Sequence, residues 1–252
     1  MKKYLTYDDV NIVPKYSEIK SRDDVDLTTR FTKNTTMSMP IVASPMDTVT
    51  EYKMASEMLD RGGVGVIHRF QSIEKQAEQM KRVWRQWDSW YNIGDQNKDR
   101  TDHTRIFDEW YKGVRHWNSP PTKSDYEDLH ELLWFATEAK KDEEYWGKRP
   151  LCAAVGATGD YLERAKELVN NGCNVILIDV AHGHHKNVGD AIEEVKSKIS
   201  NIEVVAGNIA TSDGARFLAG KGADAIRVGI GNGSLCETRI RTGVGLPQVT
   251  TL

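Results

Sequence analysis

Short apolar runs alternate with amphipathic segments along most of the 252-residue chain. The apolar runs lack strict polar–apolar alternation, which is typical of strands buried on both faces of a parallel sheet. Six strands are predicted, at residues 41–44, 64–67, 151–155, 175–178, 203–206 and 225–228. Helices are predicted in the gaps, at about 51–60, 161–170, 187–199 and 212–218.

The passage from helix to strand follows the same pattern three times. Gly62, Gly172 and Gly222 each lie just past a predicted helix, where a residue with positive φ is needed, and a strand follows closely. Thr50 is predicted to cap the first helix with its side chain. Repeated units of this kind imply a parallel sheet with helices outside it. Because eight strands close a (β/α)₈ barrel, the fold class is α/β of TIM-barrel type, incomplete at about six strands.

The alternation of predicted strands and helices stops in the segment 84–147, which holds all seven tryptophans. Aromatic and apolar residues recur there at helical spacing, for example at Phe107, Trp110 and Tyr111. The pattern predicts a small helical insertion that divides the barrel domain into 1–83 and 148–252. The aromatic side chains of the insertion form either a core of their own or a surface for a partner.

Composition narrows the class of protein. A hydrophobic content of 39% and a net charge of −3 favour neither a disordered chain nor a nucleic-acid binder. The apolar runs are too short to span a bilayer, and the first residues lack the apolar core of a signal peptide. Cys152, Cys173 and Cys236 show no paired spacing, which argues against disulfides or a zinc site and favours a reducing, cytoplasmic setting.

A glycine-rich stretch follows the last predicted strand and carries the strongest chemical pattern. Gly229, Gly231 and Gly233 allow backbone groups to approach a ligand or ion closely, and Cys236 follows them as a candidate nucleophile. The stretch is not the dinucleotide fingerprint G-x-G-x-x-G, because position 234 is serine. The alternative is an ordinary glycine-rich turn with an incidental, inert cysteine.

Chemistry in such a barrel lies at the C-terminal ends of the strands. The predicted strand ends offer candidates from distant parts of the chain, including Ser44, His68, Asp179 and Asn208. Simpler roles stay open for several of them: Asp179 can cap a turn, and Thr238 can cap a helix. The neighbouring histidines form either a metal cluster or a solvated loop; they are His182, His184 and His185.

From Gly229 the stretch reads G-x-G-x-G-S-x-C-x-T-R and then, from Gly243, G-x-G-x-P-Q. This resembles the catalytic cysteine loop of the IMP dehydrogenase and GMP reductase family. Further blocks outside the insertion look like family blocks in family order, at 5–10, 44–51, 62–68, 179–184 and 206–208.

The resemblance implies a role for each matching residue on the substrate side. Cys236 would attack C2 of the purine nucleotide, and Thr238 would help activate the water or the leaving group. Ser44 and Ser234 would contact the nucleotide, and Met46 would pack against the base.

The resemblance also implies two cofactors, a nicotinamide dinucleotide and K⁺. Asp179 would hold the nicotinamide ribose, with Asn208, Arg227 and Gly229 nearby. The backbone carbonyls of Gly231, Gly233 and Cys236 would form part of the K⁺ site.

The implied function is oxidation of IMP to XMP with NAD, in guanine nucleotide biosynthesis. The blocks at 44–51 and 62–65 look like IMP dehydrogenases, whereas 241–245 and 21–22 look like GMP reductases, which use NADPH. The third alternative is a truncated, non-catalytic paralogue that binds nucleotide or assembles with a complete barrel.

Two features depart from the family pattern. The insertion lies where IMP dehydrogenases carry CBS modules, and it shows none of their repeats. The barrel lacks its last two units, so activity is expected only with a C-terminal barrel fragment. Family members are tetramers, so a homo-oligomer is expected, with neither nucleic acid nor a membrane as partner.

Overall fold

A computed structural model describes residues 3–92, 149–233 and 236–252. Residues Met1–Trp84 and Pro150–Leu252 together form one compact unit. Most of the predicted insertion, residues 93–147, lies outside the described residues, so its helices and its boundaries stay predictions. No helix in the described ranges is long and apolar enough to cross a membrane.

The compact unit is built on a six-stranded parallel sheet in which the strands follow one another in chain order. All six predicted strands are confirmed, with ends that shift by at most a few residues. A short antiparallel hairpin, β1 (Thr29–Arg30) and β2 (Thr36–Met37), precedes the sheet. The sheet strands are β3 (Val42–Ala43), β4 (Val64–Ile67), β5 (Cys152–Val155), β6 (Val175–Asp179), β7 (Glu203–Ile209) and β8 (Ala225–Val228).

Helices connect the strands as the apolar pattern predicts. The helices at 52–60, 161–170, 186–198 and 212–220 each bury small and aliphatic residues. Ala165 and Leu168 are examples, and both side chains are fully buried. The helices are α1 (Tyr52–Asp60), α2 (Ile73–Asn92), α3 (Tyr161–Asn170), α4 (Lys186–Lys198), α5 (Ser212–Gly220), α6 (Glu237–Thr242) and α7 (Gln248–Thr251).

The prediction that Thr50 caps α1 is wrong. The N-cap residue is Glu51, which makes no capping hydrogen bond with its side chain. The Thr50 side chain is fully buried, and its hydroxyl donates a 2.6 Å hydrogen bond to the carbonyl of Ser44. Thr50 therefore closes the loop between β3 and α1.

The three recurring glycines have the backbone conformation that the pattern predicts. Gly62, Gly172 and Gly222 have φ values of 79°, 98° and 97°. A side chain at these positions would be strained, because L-residues rarely adopt positive φ. A Cβ on Gly172 would also lie 2.5 Å from the Trp84 ring, so this turn packs against the indole of α2.

The core lies inside the curl of the sheet and is closed from one end by the hairpin. Val64, Val66 and Leu177 belong to a buried cluster, against which Phe31 and Met37 of the hairpin segment pack. The carboxylate of Glu203, at the start of β7, accepts hydrogen bonds from the Thr32 hydroxyl and from the Asn34 amide. The hairpin therefore acts as a plug at the N-terminal end of the strands.

A second buried carboxylate, Asp224, holds the same end of the barrel. It pairs with Lys196 at 2.7 Å and with Lys33 of the hairpin turn at 3.3 Å, and it accepts from the Val204 amide at 2.8 Å. Burial by itself would raise the pKa of Asp224. The hydrogen bonds and the lysine charges outweigh burial, so the pKa is lowered from 3.8.

The two end strands of the sheet are less covered than the central ones. All four residues of β4 and of β5 are buried, whereas the four residues of β8 are half-exposed and Val42 of β3 is exposed. Six parallel strands with helices between them, curled around one core, are an incomplete (β/α)₈ barrel.

Candidate functional site

The C-terminal ends of the strands bring several predicted site residues to one edge of the sheet. Ser44 directly follows β3, Asp179 is the last residue of β6, and Arg227 lies near the end of β8. Parallel strands end at the same edge, so residues far apart in sequence meet there.

Arg227 joins two of these strand ends. Its Nη1 donates to Oδ1 of Asp179 at 2.6 Å, and its Nη2 lies 3.4 Å from the hydroxyl oxygen of Ser44. The ion pair is partly shielded from water, since the side chain of Asp179 is 19% exposed. The residues predicted for the substrate side and for the cofactor side are therefore linked through one guanidinium group.

Gly207 makes this link sterically possible. In the sheet register it lies between Asp179 of β6 and Arg227 of β8. A Cβ on Gly207 would lie 2.6 Å from the carbonyl oxygen of Arg227 and 2.7 Å from its Cβ. The missing side chain lets β8 lie close to β7, with Arg227 reaching across to Asp179. This role of Gly207 was not predicted from the sequence.

Asn208 is held by its backbone and leaves part of its side chain unsatisfied. Its N–H donates to the Val180 carbonyl at 2.9 Å, and its carbonyl accepts from Gly183 at 2.7 Å. Its Oδ1 is buried, with no hydrogen-bond partner among the described residues. A buried amide oxygen of this kind is suited to accept a hydrogen bond from a ligand.

The glycine-rich stretch runs directly out of β8 and packs against the later glycine segment. Gly229 has a φ of 130° and donates to the Ile209 carbonyl at 2.8 Å. Gly231 has a φ of 70°, and a Cβ there would lie 2.7 Å from Cα of Gly245. Neither glycine tolerates a side chain, so the stretch is a close-packed backbone arch.

Cys236 follows the arch as the N-cap residue of α6. It is half-buried, and its N–H donates to the carbonyl of Gly233 at 3.1 Å. Thr238 lies inside α6, so the alternative in which it caps a helix is wrong. Ser234 and the side chain of Thr238 lie outside the described part of the chain.

The other two cysteines lie in surroundings that disfavour a thiolate. Burial raises the pKa of Cys152 well above its ordinary value and that of Cys173 to about 12. The Cys173 thiol also donates to backbone carbonyls within the core. Cys236 is therefore the candidate nucleophile with the best access to a ligand.

Met46 lies in the loop that follows β3, with half of its surface exposed. Its N–H donates to the Ser44 carbonyl at 2.8 Å, and Thr50 donates to the same oxygen. This loop fixes the backbone of Ser44 and leaves the Met46 side chain free to contact a ligand.

Gln248, at the start of α7, ends the G-x-G-x-P-Q motif, and no role was predicted for it from the sequence. Its Nε2 lies 3.4 Å from the Val228 carbonyl oxygen, and its Oε1 is buried with no partner in the described ranges. A Cβ on Gly229 would lie 2.7 Å from that Oε1. The motif G-x-G-x-P-Q was the available signal, since it placed Gln248 beside the arch.

The histidines after β6 form a solvent-exposed loop. His182, His184 and His185 are exposed, and His185 caps α4 by accepting from the Asn187 amide. No group of three or more metal-ligating side chains occurs among the described residues.

The fold and the site together define a class: a βα-barrel protein with a cysteine after a glycine arch and an acidic residue at the end of a strand. The model of the IMP dehydrogenase / GMP reductase domain matches residues 4–252. The chain therefore belongs to the IMP dehydrogenase / GMP reductase family.

Individual relatives agree with this assignment. The chain is similar to an inosine-5′-monophosphate dehydrogenase of Nitrosopumilus maritimus, with 33% identity over all of this chain and 66% of the relative. It is 36% identical to the same enzyme of Cryptosporidium parvum, over 99% of this chain and 57% of the relative. The structure resembles the GMP reductase C318A of Trypanosoma brucei with a TM-score of 0.75 and 27% identity, covering 100% of this chain and 72% of that one. The chain thus spans less than two thirds of each of the two dehydrogenases, 66% and 57% of their lengths.

Proposed function

We propose that this chain is the cysteine-bearing part of an IMP dehydrogenase, which oxidises IMP to XMP with NAD. The observation that carries the proposal is the linked cluster of Ser44, Arg227 and Asp179 at the strand edge from which the Cys236 loop emerges. Together, the cluster and the Cys236 loop offer a contact for the nucleotide, a carboxylate for a ribose and a nucleophile at one edge of the sheet. The similarity to curated dehydrogenases supports the choice of reaction.

In the proposed reaction the Cys236 thiolate adds to C2 of the purine. C2 then loses its hydrogen as hydride, which leaves a covalent thioimidate on the sulfur. Water hydrolyses the thioimidate, releases XMP and returns the thiol. Thr238 assists the water, Ser44 and Ser234 bind the nucleotide, and Met46 packs against the base.

NAD would supply the hydride acceptor. The second carboxylate oxygen of Asp179 is available for a ribose hydroxyl, since the contact with Arg227 uses Oδ1. The buried, unpartnered Oδ1 of Asn208 fits a donor on the dinucleotide, and Gly229 allows its close approach.

K⁺ would bind the carbonyls of Gly231, Gly233 and Cys236. Positive φ at Gly231 and tight packing against Gly245 give the arch a fixed shape. The Gly233 carbonyl accepts one hydrogen bond from Cys236 and keeps a second lone pair for a cation.

Activity is proposed to require two further βα units, whether from a longer form of the chain or from a second polypeptide. The decisive experiment follows absorbance of reduced nicotinamide with IMP, NAD and K⁺, for the chain alone and for the chain mixed with a C-terminal barrel fragment. NADH is expected only in the mixture, and Cys236→Ser in the mixture is expected to abolish it. No NADH in either sample contradicts the proposal.

GMP reductase is the second candidate, favoured by the structural similarity to the Trypanosoma brucei enzyme and by the block at 241–245. The same mixture given GMP and NADPH separates the two. Loss of NADPH with GMP, and no NADH with IMP, assigns the reductase. If NADH does not form with IMP and NADPH is not consumed with GMP, a non-catalytic, nucleotide-binding paralogue is favoured.

We also propose a homo-oligomer in a reducing, cytoplasmic compartment. The free thiols of Cys152 and Cys173 support the compartment, since both are buried in the core as unpaired cysteines.

A further inference from the structure

Two asparagines of the chain, Asn171 and Asn232, directly precede a glycine. In such a pair the backbone nitrogen of the glycine can attack the side chain of the asparagine, because glycine has no Cβ to obstruct the approach. Asn171 is the C-cap residue of α3, and Asn232 lies in the glycine arch after β8. The two pairs have the same sequence and very different surroundings.

The Asn171–Gly172 pair is fixed at both residues. The Nδ2 of Asn171 donates to the carbonyl oxygen of Glu167 at 2.8 Å and to its Oε1 at 2.9 Å. The N–H of Gly172 donates to the Val169 carbonyl at 3.0 Å. A Cβ on Gly172 would lie 2.5 Å from the Trp84 ring. The side chain and the backbone nitrogen of this pair are therefore held apart in a crowded turn.

The Asn232–Gly233 pair is exposed and loosely held. Both residues are exposed to solvent. The side-chain amide of Asn232 and the N–H of Gly233 form no hydrogen bond with any residue that the structure describes. A Cβ on Gly233 would have its nearest neighbour, the Cβ of Cys236, at 3.8 Å, which is an ordinary contact. The backbone nitrogen of Gly233 is therefore accessible to solvent, and there is room for a ring to form.

We propose that Asn232 is a site of spontaneous deamidation. The backbone nitrogen of Gly233 loses its proton to a solvent base and bonds to Cγ of Asn232, and the bond from Cγ to Nδ2 breaks to release ammonia. Water then opens the resulting succinimide ring to aspartate or to isoaspartate. The chemistry is independent of the proposed reaction, since only residues 232 and 233 and water take part.

The modification changes the loop that carries Cys236. Isoaspartate directs the main chain through its Cβ, which adds one carbon atom to the backbone before Gly233. Gly231 has no room to absorb the change, since a Cβ there would lie 2.7 Å from Cα of Gly245. The displacement therefore falls on Gly233, whose carbonyl accepts from the Cys236 N–H at 3.1 Å. Loss of this hydrogen bond is the expected consequence.

The test incubates the intact chain at mildly alkaline pH and maps its peptides by mass spectrometry over time. Asn232 is expected to convert to aspartate and isoaspartate, the latter detected with an isoaspartate methyltransferase, while Asn171 keeps its amide. Hydrogen exchange of the Cys236 backbone amide is then expected to be faster by about tenfold, which is the protection given by one hydrogen bond worth about 1.4 kcal/mol.

Two variants separate ring closure from other effects of incubation. Gly233→Ala is expected to slow the conversion by about tenfold, because its methyl group obstructs the attacking nitrogen. The variant is expected to fold, since φ of Gly233 is not positive and the site has room. Asn232→Gln keeps the amide but requires a larger ring, so exchange at Cys236 is expected to stay unchanged on incubation.

An unmodified Asn232, equal conversion of Asn171 and Asn232, or full-rate conversion in Gly233→Ala each overturns the proposal. Circular dichroism checks that both variants fold. Unchanged exchange at Cys236 in the isoaspartyl form overturns the consequence drawn for the loop.

Discussion

At the scale of single residues, the cluster of Ser44, Arg227 and Asp179 depends on a missing side chain as well as on the side chains that are present. Gly207 carries no side chain, and Arg227 from the adjacent strand lies within 2.7 Å of where a Cβ would be. This close approach lets the guanidinium reach Asp179 across an intervening strand.

Gly207→Ala is therefore expected to destabilise the chain by about 1–3 kcal/mol, because the methyl group overpacks the β7–β8 contact. Urea denaturation measures the loss. Gly220→Ala is the control, since nothing lies within 4 Å of a Cβ there, and alanine in a helix is neutral to slightly stabilising. Equal stability of both variants would refute the steric argument.

The buried carboxylate of Asp224 gives stability a defined dependence on pH. A carboxyl group whose pKa is lowered in the folded state stabilises the fold above its unfolded pKa and loses that effect as pH falls through the folded value. The contribution of Asp224 is thus expected to be complete near neutrality and to disappear as pH falls below 3.8.

Asp224→Asn checks this directly through urea denaturation at several pH values. The variant is expected to be less stable than the parent chain at pH 7, because Lys196 and Lys33 lose their charged partner. The difference should shrink steadily under acidic conditions. A difference that stays constant between neutral and acidic pH would contradict the assignment.

At the scale of elements, one buried side chain connects two strands and two helices. Gln76 of α2 is fully buried; its Nε2 donates to the Ala154 carbonyl at 2.8 Å and to the Ile67 carbonyl at 3.2 Å. Its Oε1 accepts from Arg164 of α3 at 2.9 Å. The amide thus satisfies strand carbonyls and a largely buried guanidinium together.

Gln76→Ala is expected to cost on the order of 2–4 kcal/mol, because it leaves two carbonyls and a buried charged group with fewer partners. Glu78→Gln on the same helix is the control. It removes only an exposed ion pair with Arg82, which is worth less than about 1 kcal/mol. Thermal unfolding of the two variants separates the effects, and similar melting temperatures would show that the buried amide contributes little.

The six sheet strands could be predicted because continuous apolar runs such as Val175 to Ile178 fit few other structures. The hairpin could not, since its strands have only two residues each and its turn is bound by the distant carboxylate of Glu203. The capping role predicted for Thr50 was wrong because a threonine before a helix can either cap the helix or hydrogen-bond to a carbonyl of the preceding loop. The contact of Arg227 with Asp179 depends on sheet register, which sequence spacing does not reveal.

At the scale of the whole molecule, the described residues leave the two end strands of the sheet without a further strand neighbour and an apolar N-terminal segment exposed. Ile12 is 97% exposed, and Val13, Tyr16 and Ile19 are also exposed. Exposed edge strands and apolar patches favour association between molecules.

The chain by itself is therefore expected to self-associate. Sedimentation velocity should show species heavier than the 28.5 kDa monomer, and binding of a hydrophobic dye should exceed that of a closed barrel of similar size. Adding a barrel-closing fragment should reduce both signals. A clean monomer with little dye binding would contradict this expectation.

The hairpin plug also sets the order in which the molecule can be assembled. Thr32 and Asn34 are bound by Glu203, which follows them by about 170 residues, and Lys33 is bound by the still later Asp224. During synthesis on a ribosome, the plug has no binding site until most of the chain has emerged. The hairpin residues, although made before the sheet strands, are thus expected to be among the last to reach their final place, and Phe31 and Met37 to stay uncovered until the cluster against which they pack is complete.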